Sequence, residues 1–435
     1  MKETEKQIQD YIVSVCSEIK YRTIHRQIRI ELEDHFTELI EDFLALGLSK
    51  DDAINKALEQ MGDAKLVGQK LNNVHKPKPD WWLLILTAFF VGVSLLALYT
   101  MKIGSLLVNP GFFAKTLIYI LLGLIIAVVA YFTDYRKMKP YSKHLYLAAL
   151  AALIIAMGFG NLSNGKPYLT IGGLSIDIVG ISPLLFMIAL SGIYDNWDWG
   201  NIKKVGLGLV LGMVPAILII ISRSTTTFIV YCLGFLFLLY ATKVKPLYIL
   251  TIVGTCSVVF GLWILKGPFY RLERFLVLFN PWRDPRGAGY QTIQLNKVLS
   301  SAGFFGRGLT LKPGVLPELH TDFILSYIIY TFGWLAGIVL ISAIAAFLIR
   351  ILHIAKTVAD SYGKLLTVSF ASFFAIQFLW NILMVLGLAP LVGIGLPFIS
   401  YGGSQLVANM LAIGILSSIC GRKNAGVDTN VPDLI

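Results

Sequence analysis

One carboxylate stands out by its surroundings. Asp322 opens a long apolar run in His320-Thr321-Asp322-Phe323, directly after a segment rich in Gly, Pro and Arg. An ionisable group at a membrane boundary beside a wet, basic stretch is a functional candidate by default. Such a carboxylate can take the proton of a hydroxyl if positive charge stands ready for an anionic leaving group. The competing reading is structural, because His-Thr-Asp before an apolar run is also how a helix begins. The two readings conflict, since a helix N-terminus stabilises carboxylate and weakens it as a base. Candidate cations lie in the same outer segment: Arg271, Arg274, Arg283, Arg286, Arg307 and Lys312.

A second unusual region is LGLAPLVGIGLPFISYGGS, where Pro390 and Pro397 with Gly393, Gly395, Gly402 and Gly403 break helix between two apolar runs. Non-helical backbone at membrane depth is tolerated only where it is buried in protein or lines a cavity. Pro397, Ser400, Tyr401, Gly402, Gly403 and Ser404 therefore read as residues that shape such a cavity. A Ser-Tyr-Gly-Gly turn at a helix start is also an anion-friendly nest.

The elements that must hold these residues follow from composition. The chain has 435 residues, 56% hydrophobic and 14% charged, with a mean hydropathy of +0.71. A soluble domain carries roughly 25% charged residues, so most of this surface is not meant for water. Apolar runs cover about 81–101, 113–133, 145–161, 177–194, 205–222, 226–242, 246–265, 322–349, 365–388 and 404–420. Each can cross a hydrocarbon core of roughly 30 Å as a helix. The expectation is an all-α, polytopic membrane protein with about ten transmembrane helices and a small N-terminal soluble helical domain. No cleaved signal peptide is read at the start.

Residues 1–76 read as three amphipathic helices forming a cytosolic domain. Ile30, Phe36, Ile40, Phe43 and Leu44 recur at helical spacing, Gly47 ends that helix, and Ser49-Lys-Asp-Asp caps the next. A proline-interrupted linker at 77–80 leads into the membrane domain, 81–420, with a large outer loop at 266–321 and a cytosolic tail at 421–435. Basic residues crowd alternate short loops (Arg136, Lys137, Lys139, Lys143; Lys203, Lys204; Lys243, Lys245; Lys356, Lys364), which places both termini in the cytoplasm. These loops facing an anionic leaflet account for the net charge of +11 without nucleic acid. Cys16, Cys232, Cys256 and Cys420 are scattered and support neither a disulfide framework nor a zinc site.

The stretches NPWRDPRGAGYQ, LPELHTDF and LGLAPLVGIGLPFISYGGS, in that order, resemble the signatures of the bacterial SEDS family (FtsW, RodA, SpoVE). The resemblance covers about residues 80–420, and residues 1–76 resemble a permease prefix domain. It implies a bacterial cytoplasmic-membrane protein that polymerises lipid II, an undecaprenyl-diphosphate-linked disaccharide, in cell-wall synthesis for shape, division or sporulation. The activity implied is that of an inverting peptidoglycan glycosyltransferase, with Asp322 as the catalytic aspartate and Arg271 and Arg274 as diphosphate contacts. It also implies a single-pass class B penicillin-binding transpeptidase as partner, besides membrane lipids. A divalent cation, Mg or Mn, is a conceivable helper for the leaving group, although no ligand cluster is visible.

The first half departs from the family pattern. The region NGKPYLTIGGLSIDIVGISPLLFMI keeps Pro183, but Leu185 and Ile188 stand where the family has Glu and Lys, and Lys166 stands in for an outer-loop arginine. The family's QPDLGT reads ISRSTTT, and its paired acids before Phe332-Gly333 read Ile-Tyr-Thr. Unpaired charge in a bilayer costs about 2.5–3.5 kcal/mol on insertion scales, so such partners vanish together. Two alternatives stay open: a non-catalytic homologue that binds lipid-linked precursor or a transpeptidase, and a lipid-linked precursor transporter.

Overall fold

The computed structural model describes residues 2–19, 25–75, 79–107, 109, 111–163, 166–171, 174–266, 270–287 and 289–422. The chain divides at Asp80 into an amino-terminal helical unit and a membrane unit that runs to Ile419. Linker residues 76–78 and the tail from 423 lie outside the described residues.

The amino-terminal unit holds α1 (Lys2–Glu18), α2 (His25–Ala45), α3 (Lys50–Met61) and α4 (Ala64–His75), where the sequence reading expected three helices. The break that adds the fourth is Gly62, whose φ of 76° stops α3 in a conformation that costs glycine little. Ser49 caps α3 by accepting from the Asp52 N–H at 3.3 Å. The buried face of α2 also differs from the expectation. Ile28, Leu32 and Phe36 enter the core at intervals of four, while Ile30 and Leu44 are 46% and 41% exposed. A four-residue interval keeps side chains on one helix face, and Ile30 falls off that face.

The membrane unit begins with α5 (Trp81–Ile103), α6 (Gly111–Phe132) and α7 (Ser142–Phe159). A small antiparallel sheet follows, β1 (Asn161–Ser163), β2 (Lys166–Ile171) and β3 (Leu174–Ile176), in spatial order β1-β2-β3. Then come α8 (Ile178–Tyr194), α9 (Ile202–Ile221), α10 (Thr225–Ala241) and α11 (Pro246–Leu265). The outer segment contributes α12 (Tyr270–Phe279) and α13 (Tyr290–Ser301), and α14 (Ile324–Thr357), α15 (Ser361–Val385) and α16 (Gly403–Arg422) complete the unit.

Among the described residues, seven helices are long and apolar enough to cross a membrane, and α8, α10 and α11 are shorter apolar helices. Their outward faces stay apolar: on α6, Ile118, Leu121 and Val129 are 63%, 61% and 60% exposed. Lipid accepts such a surface and water does not. The chain is an all-α multi-pass membrane protein with a helical amino-terminal unit, apart from the short sheet, which the sequence reading did not foresee.

Two devices fix how α14 meets its neighbours. Asp80 caps α5 through the Leu83 N–H and pairs with Arg350 of α14 at 2.7 Å, holding these helices together. Farther along, α14 kinks at Gly333, with φ 92° and ψ 169°. The peptide groups freed there bond the outer segment: Arg307 N–H donates to Tyr330 O at 2.8 Å, and Trp334 N–H donates to Gly303 O at 3.2 Å. A Cβ on Gly333 would lie 2.1 Å from Phe304 O, so only glycine allows the approach.

Candidate active site

Asp322 lies in the turn that precedes α14, and the turn rather than the helix determines its setting. The N-cap position belongs to Phe323, which makes no side-chain capping bond. The turn is closed by Glu318, a non-glycine residue at φ 52°, whose carbonyl accepts from the N–H groups of Thr321, Asp322 and Phe323. Left-handed backbone outside glycine is held only where surrounding bonds over-determine it. Asn381 of α15 supplies such bonds from below. Its side-chain amide donates to Asp322 O at 2.9 Å and to Ile394 O at 2.6 Å, joining the two interrupted segments. Asn381 is fully buried.

The second segment, residues 386–402, carries no helix. Ser400 anchors it by donating to Thr321 O at 2.5 Å and accepting from the Leu396 N–H at 2.8 Å. Its hydroxyl is thereby committed to backbone beside Asp322. Gly393 leaves the space in which the Asp322 carboxylate sits, since a Cβ there would be 3.1 Å from Oδ2. At the start of α16, Gly403 lies against the Tyr119 ring, which a Cβ would meet at 2.3 Å. Ser404 Oγ accepts from the Asp177 N–H at 3.1 Å. Pro397 is buried behind this wall and does not line the cavity, and Gly402 lines it without a forced close approach.

These segments wall a cavity of about 640 Å³. Asp322, His320, Lys166, Ser400, Tyr401, Gly402, Gly403 and Ser404 all line it, so the structure brings together most residues singled out in the sequence. His320 packs against Phe112 at 5.1 Å and Tyr401 at 5.6 Å between ring centroids, forming an aromatic edge. Burial there lowers its pKa, opposed by the Glu318 carboxylate. The side chains of Arg271 and Arg274 lie outside the described residues; their backbone belongs to α12.

The sheet carries Lys166 to the cavity, where its ammonium pairs with Asp177 at 2.6 Å and lies 5.7 Å from the Tyr168 ring centroid. Asp177 also caps α8 by accepting from the Gly180 N–H at 2.7 Å. Burial, then the Asp177, Glu318 and Asp322 carboxylates, push the Tyr168 phenol up to about 12.

The sequence reading missed Lys115, Asp177, Glu318 and Gln377, which also line the cavity. Lys115 had a signal: it is the single charged residue in the apolar run of α6. Among the described residues it forms no ion pair, so its charge is uncommitted, unlike that of Lys166. Asp177 was read only as the first residue of the apolar run 177–194, although the preceding Leu-Thr-Ile-Gly-Gly-Leu-Ser-Ile has a hairpin pattern. No group of three or more His, Cys, Asp or Glu side chains gathers among the described residues. The cavity therefore does not fit a protein-only cage for a divalent cation.

The comparisons agree with this architecture. The profile of the cell cycle proteins FtsW, RodA and SpoVE matches residues 80–425. Stage V sporulation protein E of Bacillus subtilis is 32% identical over 79% of this chain and 97% of its own length. The peptidoglycan glycosyltransferase MrdB of Escherichia coli is 29% identical over 69% of this chain and 83% of its own. Among solved structures, a chain of a peptidoglycan synthase complex that coordinates polymerization and crosslinking superposes with a TM-score of 0.67. It is 21% identical and covers 80% of this chain and 98% of that one. The rod shape determining protein RodA of Thermus thermophilus superposes at 0.61, with 20% identity over 80% of this chain and 98% of that one. With its membrane unit matched along its length and the LPELHTDF and LGLAPLVGIGLPFISYGGS motifs lining one cavity, the chain belongs to the FtsW/RodA/SpoVE (SEDS) family.

Proposed function

We propose that this protein is a peptidoglycan glycosyltransferase that polymerises lipid II at the outer face of the bacterial cytoplasmic membrane. The observation that carries the reading is that Asp322, an uncommitted Lys115 and the helix-free segment 386–402 share one cavity. The acceptor hydroxyl attacks the anomeric carbon of the lipid-linked sugar, and its proton passes to the Asp322 carboxylate. The bond from that carbon to the diphosphate breaks, and the lipid diphosphate leaves with the electron pair. Lys115 stabilises its developing charge, with Arg271 and Arg274 as further candidates from α12. Lys166, already paired with Asp177, positions the sheet against α8 and α16.

The basic connections between spans support cytoplasmic termini. The family supports a single-pass class B penicillin-binding transpeptidase as partner, and the amino-terminal unit would then report to the enzyme from the cytoplasm.

The test is polymerisation of purified lipid II, alone and with a cognate transpeptidase. Wild type should yield glycan, and Asp322→Asn should lose about 10²–10⁴ of that rate. Precursor binding with no product under any pairing would replace this reading by the non-catalytic one. Movement of labelled precursor across vesicles, insensitive to Asp322→Asn, would replace it by transport.

A further inference from the structure

A second cavity of about 260 Å³ lies in the outer segment, and nothing in the reaction described above uses it. Its wall combines Tyr290 and Gln291 at the start of α13, Arg286 in the preceding turn, and apolar residues from α12 and the end of α15. It adjoins the reaction cavity through two stretches of backbone. Pro317 lines the second cavity and Glu318 the first, and Leu391 lines the second while Gly393 lines the first. A single thickness of chain thus separates the two spaces at both places.

The lining is amphipathic in a particular way. Tyr290 is 37% exposed, so its ring is available to a ligand. Arg286 and Gln291 offer planar polar groups of the kind that pair with hydroxyl and acetamido groups. The turn that presents them is fixed by Asp284, which accepts from the Gly287 N–H at 3.0 Å and, through its carbonyl, from the Gly289 N–H at 2.9 Å. Pyranose rings have one apolar face and a rim of hydroxyls, and they match a wall with one aromatic face and a polar edge. Lipid tails would leave the polar groups unpaired.

We infer that this cavity is a saccharide subsite that holds an N-acetylhexosamine unit of the glycan strand next to the bond-forming centre. The inference rests on the proposed polymerase reading for its purpose, because a polymer must occupy space beyond the reacting unit. Its ligand chemistry stands on the cavity alone. Holding a distal sugar uses binding energy away from the reacting atoms to keep the strand engaged between additions.

The test separates the two. Binding of a β-1,4-linked N-acetylglucosamine tetramer to the full-length protein in detergent is measured by ligand-detected NMR or calorimetry, which needs no turnover. Tyr290→Ala and Gln291→Ala should weaken binding about tenfold. Trp282→Ala, an exposed aromatic of the same segment that does not line the cavity, should leave binding unchanged. In the polymerisation assay, Tyr290→Ala should shorten the glycan several-fold more than it slows donor consumption. The subsite is overturned if the tetramer fails to bind wild type, if Trp282→Ala weakens binding as much as Tyr290→Ala, or if product length is unchanged. Tetramer binding lost in Tyr290→Ala but with no polymer from wild type would uphold the subsite and sink the polymerase reading.

Discussion

The two sides of the reaction cavity are built on opposite plans. On the α14–α16 side, two helix-free segments carry Asp322, Ser400 and Gly393, and their peptide groups at Asp322, Ile394, Thr321 and Leu396 are tied by the Asn381 and Ser400 side chains. On the α8–α10 side, regular helices pack apolar residues such as Phe186, Ile188 and Tyr231 with almost no exposure. Ile188 occupies the place where the family pattern has lysine, and it is 2% exposed. Leu185, in place of the family glutamate, packs against the same core. The contrast shows that the polar demand of the site is met locally, by backbone held out of helix on one side. The charged pair could leave the other side because hydrophobic packing fills the space without an ion to desolvate.

This contrast can be broken from the apolar side first. Ile188→Lys alone should destabilise the protein by about 2.5–3.5 kcal/mol, the insertion-scale cost of an unpaired charge. Adding Leu185→Glu should recover part of that loss. Thermal unfolding in detergent reads both, and an Ile188→Lys protein as stable as wild type would mean that α8 already meets water. The polar side is probed by Asn381→Leu, which removes two bonds to buried carbonyls. A loss of about 1–3 kcal/mol per abandoned carbonyl is expected. Polymerisation should fall through the rate at saturating substrate more than through KM, since Asn381 acts through the Asp322 and Ile394 carbonyls and does not itself line the cavity.

A smaller effect is expected from Lys115→Met, which should lower polymerisation about tenfold, while Lys115→Arg keeps most of it. Equal activity of Lys115→Met and wild type would shift the diphosphate charge to Arg271 and Arg274. The smallest effect concerns His320, whose folded pKa is lowered from 6.5 by burial. Its contribution to stability is full above pH 6.5 and is lost as pH falls through the lowered folded value. Wild type should therefore lose thermal stability in mild acid more steeply than His320→Phe, and parallel curves would show that the ring is hydrated.

Much of this was legible in the residues. Asp322 was identified as an ionisable group at a membrane boundary, His320 as part of its motif and Ser400 to Ser404 by helix breakers at membrane depth, and all of them line one cavity. Pro397 was placed with them, yet it is buried behind the wall, because a proline that turns the chain need not face the space it creates. The hairpin that carries Lys166 was not foreseen, since its strands are three to six residues long and sit between strong helical signals. The extra helix in the amino-terminal unit was merged with its neighbour because Gly62 and Asp63 make a very short break.

By itself, the sequence determined that the chain spans the membrane many times and where its helices must stop. Both properties are local: twenty apolar residues specify a span, and Pro or Gly specifies an interruption. Only the tertiary structure decided which charges share the cavity with Asp322. Lys115 on α6 and the Lys166–Asp177 pair on the sheet and α8 arrive there from far along the chain. Asn381 joins Asp322 to Ile394 in the same way. Hydropathy records how deep a residue lies and carries no sign of which helix stands beside it. That choice is made by packing, where small residues such as Gly403 against Tyr119 let particular helices close up.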